Sequence, residues 1–301
     1  MLGAAGLFSL MGAGVKFASV HYGAGEIVFF RAAVGLLLMG LLMRWRGIAR
    51  STPVAAMHFW RSLAGVTSLC LWFYAIGGLP LGTAVTLNYM SSVWIALFLI
   101  GGSVLLAAPG QGGVDGRLVA SVLAGFAGVA LVLRPTIEQD QLWYGLCGLL
   151  SGVLAAVAYL QVSALGRAGE PEERVVFYFS LAGVVGGFAL AQATGGLQTF
   201  ASGPARTQPG LVGPALLLGI GVLATAAQWM LTRAYAIGSA LVNSALQYTG
   251  IVFSFTLGVW LFNDPVTAQA LAGMALIVAA GLAATMLRSK VSTARNISAE
   301  P

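Results

Sequence analysis

The sequence predicts an all-α polytopic membrane protein with ten transmembrane helices, arranged as two inverted five-helix repeats. Three observations predict it. Only 8% of the 301 residues are charged and 58% are apolar. The apolar residues fall in long runs broken by Pro, Gly and charge, and short motifs recur in the same order in both halves of the chain. A soluble domain carries about 25% charged residues. With 15 Lys and Arg and 9 Asp and Glu, this chain cannot clothe a globule of its size. In lipid the backbone must satisfy its own polar groups, which leaves helices or a closed barrel. Unbroken apolar runs, rather than short alternating ones, select helices.

Runs long enough to span a bilayer lie near 2–20, 27–43, 63–79, 82–108, 118–133, 142–165, 175–193, 211–232, 240–262 and 266–287. The third-to-fourth and eighth-to-ninth connections are so short that each pair is expected to form a tight helical hairpin. Basic residues then sort by side. One side would hold Arg44, Arg46, Arg50, Arg61, Arg117, Arg167, Arg174, Arg233, Arg288, Lys290 and Arg295, and the other Lys16, Arg31, Arg134 and Arg206. Cytoplasmic loops are the ones enriched in Lys and Arg, so the first set and both termini are expected in the cytoplasm. The protein is expected in the cell membrane, the inner membrane of a bacterium. No cleavable leader is expected, since the apolar run begins at Leu2 with no basic stretch before it.

The net charge of +6 has its use in that orientation; no basic run on a soluble module points to nucleic acid. Cys70 and Cys147 lie inside apolar runs and read as small core residues rather than as a disulfide.

The halves resemble each other motif by motif. Tyr74-Ala-Ile-Gly77 matches Tyr235-Ala-Ile-Gly238, and Leu87-Asn88-Tyr89 then falls on Leu246-Gln247-Tyr248. Each half closes on a Gly-spaced helix ending in Arg, at Arg134 and Arg288. Repeats are assigned to 1–136 and 137–290, followed by a polar cytoplasmic tail at 291–301. Five helices is an odd number, so the second repeat must enter the membrane upside down. Inverted repeats are how many transporters achieve alternating access, with the solute held where the halves meet.

On these residues the chain resembles the EamA family of the drug/metabolite transporter superfamily. The resemblance rests on the ten-helix plan and on Phe30-Arg31-Ala32-Ala33, Arg61-Ser-Leu-Ala-Gly65, Tyr74-Ala75, Leu81-Gly-Thr-Ala84 and the closing Gly-rich helices. It implies export of amino acids or related metabolites, with cofactors, nucleobase-like compounds or sugars carried by other members. The Glu170-Pro-Glu-Glu-Arg174 loop, with Tyr74 and Asn88-Tyr89, is similar to a subgroup that includes S-adenosylmethionine carriers. Members often carry Glu after the fourth and ninth helices. Here Asp264 keeps a carboxylate after the ninth, and none follows the fourth.

Polar side chains inside spanning helices face protein or water. Asn88, Ser91 and Ser92 share one face of the fourth helix, and Asn243, Gln247, Gly250 and Ser254 form a stripe on the ninth. Gln228 and Tyr235 on the eighth and Tyr159 on the sixth extend the set. With Tyr89, Tyr248 and the deep aromatics Trp72, Trp94 and Trp229, these are the expected cavity residues. The plain alternative is that Ser, Thr, Asn and Gln glue helices together. Trp60, Trp143 and Trp260, near helix ends, are expected in the interfacial belt. Lys16, Glu26 and Arg31 gather near the outer ends of the first two helices. The resemblance makes Lys16 and Arg31 neighbours of the site or gate, against simple snorkelling to the interface.

No buried nucleophile with His, HExxH helix or paired Asp marks an enzyme, and no metal, cofactor or nucleotide-binding loop is expected. A sensor or scaffold would usually carry a soluble output domain, and the loops here are short. Expected partners are a small solute and the bilayer, with the protein a monomer or homodimer. Since Glu26 and Asp264 are terminal and no other acid lies in the deep runs, strict proton antiport is not supported. Facilitated diffusion or exchange is expected instead. No residue names the substrate.

Overall fold

The computed structural model describes residues 1–105, 141–195, 197, 212–238 and 240–297, with isolated helical positions between 120 and 131. The described elements are α1 (Leu2–Ala18), α2 (Ala24–Trp45), α3 (Ala55–Gly78), α4 (Leu81–Tyr89), α5 (Ser91–Leu105), α6 (Leu142–Arg167), α7 (Glu172–Ala193), α8 (Val212–Ile237), α9 (Ala240–Gln247), α10 (Thr249–Phe262) and α11 (Ala268–Ile297). The expected fifth span, 118–133, lies almost wholly outside the described residues. No strand occurs among the described residues.

Among the described residues, five segments are long and apolar enough to cross a membrane: Ala24–Trp45, Leu81–Leu99, Leu142–Arg167, Glu172–Ala193 and Gly213–Ile237. At about 1.5 Å per residue, α2 measures about 33 Å, close to the ~30 Å hydrocarbon thickness of a bilayer. Trp60, Trp143 and Trp260 are exposed, as are Leu37, Leu41, Val185, Leu218 and Met286. On a water-facing surface so many large apolar side chains would drive aggregation; against lipid tails they are at home.

Two runs expected as single helices are divided. The run at 82–108 breaks at Met90 and the run at 240–262 breaks at Tyr248. Neither break contains Pro. The backbone stays right-handed, with ψ −15° at Met90 and ψ −21° at Tyr248. Three-residue bonds appear there, Val93 N–H on the Met90 carbonyl (2.9 Å) and Ile251 N–H on the Tyr248 carbonyl (3.0 Å), while Trp94 N–H keeps a four-residue bond to Met90 (3.1 Å). Such local tightening within a long helix marks a hinge or local strain. The breaks fall within one residue of equivalent positions in the motif match Asn88-Tyr89 with Gln247-Tyr248. Both expected short connections are present, with two residues between α3 and α4 and two between α8 and α9.

Helix α3 begins well before the expected 63, at Ala55, so Arg61 lies almost two turns inside it. Its side chain is buried rather than at a membrane edge. Arg31, counted on the other side, is also buried. Removing both leaves ten basic residues against three, and the bias keeps its direction. The last helix also runs on to Ile297, into the stretch expected as tail.

Close backbone approach binds α2 to α7. A Cβ on Gly187 would stand 2.5 Å from the Phe29 nitrogen, and one on Gly25 2.5 Å from the Ala191 nitrogen. Small residues permit this packing where lipid supplies no hydrophobic drive between helices. Gly187→Val is expected to force the pair apart and cost about 1–3 kcal/mol. Thermal unfolding in detergent checks it, and an unchanged melting temperature would contradict the packing.

Candidate solute-binding site

A small cavity lies among helices from both halves. It is lined by Phe8, Arg31, Arg61, Gly65, Ser68, Leu69, Trp72, Asn88, Tyr89, Ala155, Ala158, Tyr159, Phe179 and Gln228. Its volume is about 40 Å³, room for a few waters. Pockets that enclose a drug-sized ligand measure about 300–1,000 Å³, so a metabolite enters only if the walls separate.

The α4 break forms one wall. Asn88 Nδ2 donates to Ser151 Oγ at 3.0 Å, and Ser68 Oγ donates to the Ser151 carbonyl at 2.7 Å. Gly152 lets α6 reach the α4 backbone, since a Cβ there would stand 2.7 Å from the Leu87 carbonyl oxygen. On the far side, Tyr89 packs on Gly250, where a Cβ would lie 2.6 Å from its ring. The two breaks therefore meet across the interior.

Among the residues expected at the cavity, Asn88, Tyr89, Trp72, Tyr159, Gln228 and Arg31 line it. Gln247 and Tyr235 stand one layer behind. The Tyr235 hydroxyl donates to Gln247 Oε1 at 3.3 Å, and the Tyr235 ring stacks on Tyr159 at 5.1 Å between centroids. Ser91 and Tyr248 are buried outside the lining. Asn243 Nδ2 instead bonds the Ala234 carbonyl, tying the α8–α9 turn. Trp94 and Trp229 are part-buried, the latter with Arg233 over its ring. Glu26 is buried in the first turn of α2, away from the lining.

The sequence reading missed Arg61 and Phe179. The Phe179 ring lies under both guanidiniums, 4.2 Å from Arg61 Cζ and 5.6 Å from Arg31 Cζ. Gly65 makes room for Arg61, because any Cβ there would overlap its Nη1. The four-residue spacing of Arg61 and Gly65, one helical turn, was the available signal.

Polar networks sit at both ends of the helices. Where α1 meets the start of α4, Lys16 Nζ pairs with Asp264 Oδ1 at 2.7 Å, and Asp264 Oδ2 accepts the Leu81 N–H at 2.8 Å. A carboxylate suits the positive end of α4. Asn263, at φ 52°, turns the chain so that Asp264 folds back. At the other end of α2, Arg46 pairs with Glu173. Glu170 there accepts from Thr52 at 2.9 Å and Arg174 at 3.2 Å, and lies 2.9 Å from His58 Nε2.

Burial alone would raise the Glu170 carboxyl. The bonds with His58, Thr52 and Arg174 and the Arg174 charge outweigh it and hold the group below its ordinary 4.5. A lowered folded value contributes stability that is present above the ordinary value and lost as pH falls through the folded one. Melting temperature is therefore expected to drop below about pH 4.5 less steeply in Glu170→Gln than in the native protein. Identical profiles would contradict the pairing.

An all-helical body with many exposed large apolar side chains, several apolar spans and buried polar groups at an interior cavity fits a multi-pass membrane protein. Known proteins agree. No family model matches the chain. It is 35% identical over 277 residues to the pseudopaline exporter of Pseudomonas aeruginosa, covering 92% of this chain and 91% of that one. It is 25% identical to a transporter of Helicobacter pylori, over 91% of this chain and 89% of that one. It is 24% identical to the riboflavin transporter of Vibrio cholerae, over 92% and 89%. One solved crystal structure shares the fold, with a TM-score of 0.64 at 18% identity over 96% of this chain and 97% of that one. The chain belongs to the membrane-transporter family that contains the pseudopaline exporter.

Proposed function

We propose that this protein is a metabolite exporter of the EamA type that works by alternating access between two inverted five-helix repeats. The observation that carries the reading is an interior cavity lined by helices from both halves of the chain, with ion pairs at the two ends of the helices and Tyr89 at one helix break packed on Gly250 beside the other. Breaking Lys16–Asp264 opens one path and breaking the Glu170 and Glu173 contacts opens the other. The basic-residue bias supports a cytoplasmic Glu170 end and cytoplasmic termini in a bacterial inner membrane. The solute is a small polar metabolite, an amino acid or derivative. A cofactor- or nucleobase-type solute is the second reading, favoured by the aromatic walls at Phe8, Trp72, Tyr159 and Phe179 and by the riboflavin transporter relative.

Among the described residues no carboxylate lines the cavity, which supports exchange or downhill export without proton coupling. Proteoliposomes loaded with a metabolite panel test both points. Saturable, protein-dependent efflux that persists with a protonophore is expected. Absence of flux for every member would favour a sensor or scaffold. Flux abolished by the protonophore would make Glu26, the buried acid of α2, the residue to substitute first.

A further inference from the structure

We infer that Arg31 and Arg61 form an anion site that takes a carboxylate of the transported solute, an inference that rests on the exporter reading. Both guanidiniums are more than nine-tenths buried and line the cavity. Arg31 Nε, Arg61 Nε and Arg61 Nη1 have no hydrogen-bond partner. Among the described residues no Asp or Glu lines the cavity with them. The ion pairs found among the described residues all lie at the closures or helix ends and include neither arginine.

A buried cation without a counterion is costly, and in a membrane interior it marks a solute path or a binding partner. The Phe179 face lies under both cations and offers only weak compensation. Two planar donor forks over one ring match a planar two-oxygen acceptor, which a carboxylate is and an amide is not. Aromatic walls at Trp72 and Tyr159 would cover the rest of an organic solute. Gly65 is specified by the same site, since any side chain there displaces the Arg61 guanidinium.

The test is thermal unfolding of the detergent-purified full chain with succinate, L-glutamate and citrate. Each is compared with its amide, and with chloride and sulfate at matched ionic strength. Carboxylates are expected to raise the melting temperature and amides and inorganic anions not to. Arg31→Gln and Arg61→Gln should weaken the apparent carboxylate affinity by about 10- to 150-fold, with Arg61→Lys intermediate. Amides or sulfate stabilising as well as carboxylates, no carboxylate stabilising at all, or Arg→Gln variants with unchanged response would each overturn the proposal. The native protein's acid-against-amide comparison decides the matter even if the variants fail to fold. Efflux separates this proposal from the exporter reading. Neutral solutes exported without carboxylate binding would leave the exporter and remove the anion site. Carboxylate binding without flux of any solute would do the reverse.

Discussion

Locking the Lys16–Asp264 end is expected to abolish transport. In a Cys70→Ser, Cys147→Ser background, Lys16→Cys and Asp264→Cys would be bridged by a short bifunctional thiol reagent. The native pair stands 2.7 Å apart between charged atoms, and Asp264 also holds the first N–H of α4. A covalent bridge between positions 16 and 264 fixes α1 to the end of α10. If access alternates, one fixed closure stops the whole cycle, so flux should fall to the level of empty liposomes. Either single-cysteine protein treated alike should retain transport. Substantial flux through the fully bridged protein would mean that this end does not open.

Replacing Asn88 is the second large effect expected. Its amide lines the cavity beside the α4 break and donates to Ser151. We propose that it also meets polar groups of the solute, so Asn88→Ala should weaken transport affinity by about 5- to 150-fold. Its motif partner Gln247 lies behind Tyr159, held by the Tyr235 hydroxyl. Gln247→Ala should act chiefly on stability, by about 1–3 kcal/mol. Measuring affinity and melting temperature together separates the two roles. Unchanged affinity with lower stability in Asn88→Ala would reduce that residue to helix glue.

The helical class, most helix positions and both short connections were legible because lipid burial leaves long apolar runs, and sequence records these directly. The breaks at Met90 and Tyr248 were not. They lack Pro, and three-residue bonds added beside four-residue ones alter no side chain. Arg61 was misplaced for a related reason. A charge near a run's start reads as a membrane-edge residue, and only the fold shows that α3 begins six residues before Arg61. Asn88, Tyr89 and Tyr159 were found because amides and phenols are conspicuous in an apolar helix. Phe179 was not, since an aromatic in an apolar run looks like any other core residue. Lys16 and Asp264 lie 248 positions apart, and no local pattern announces that they meet.

Alternating access makes one demand that neither a channel nor a scaffold meets, which is counterflow. Proteoliposomes would be loaded with an unlabelled amino-acid and carboxylate panel and diluted into trace labelled counterparts. Labelled solute is predicted to accumulate transiently above equilibrium, only for members the protein carries, and to do so with a protonophore present. Labelled solute that merely equilibrates, or no protein-dependent movement of any member, would contradict a two-closure carrier built around the Arg31, Arg61 and Asn88 cavity.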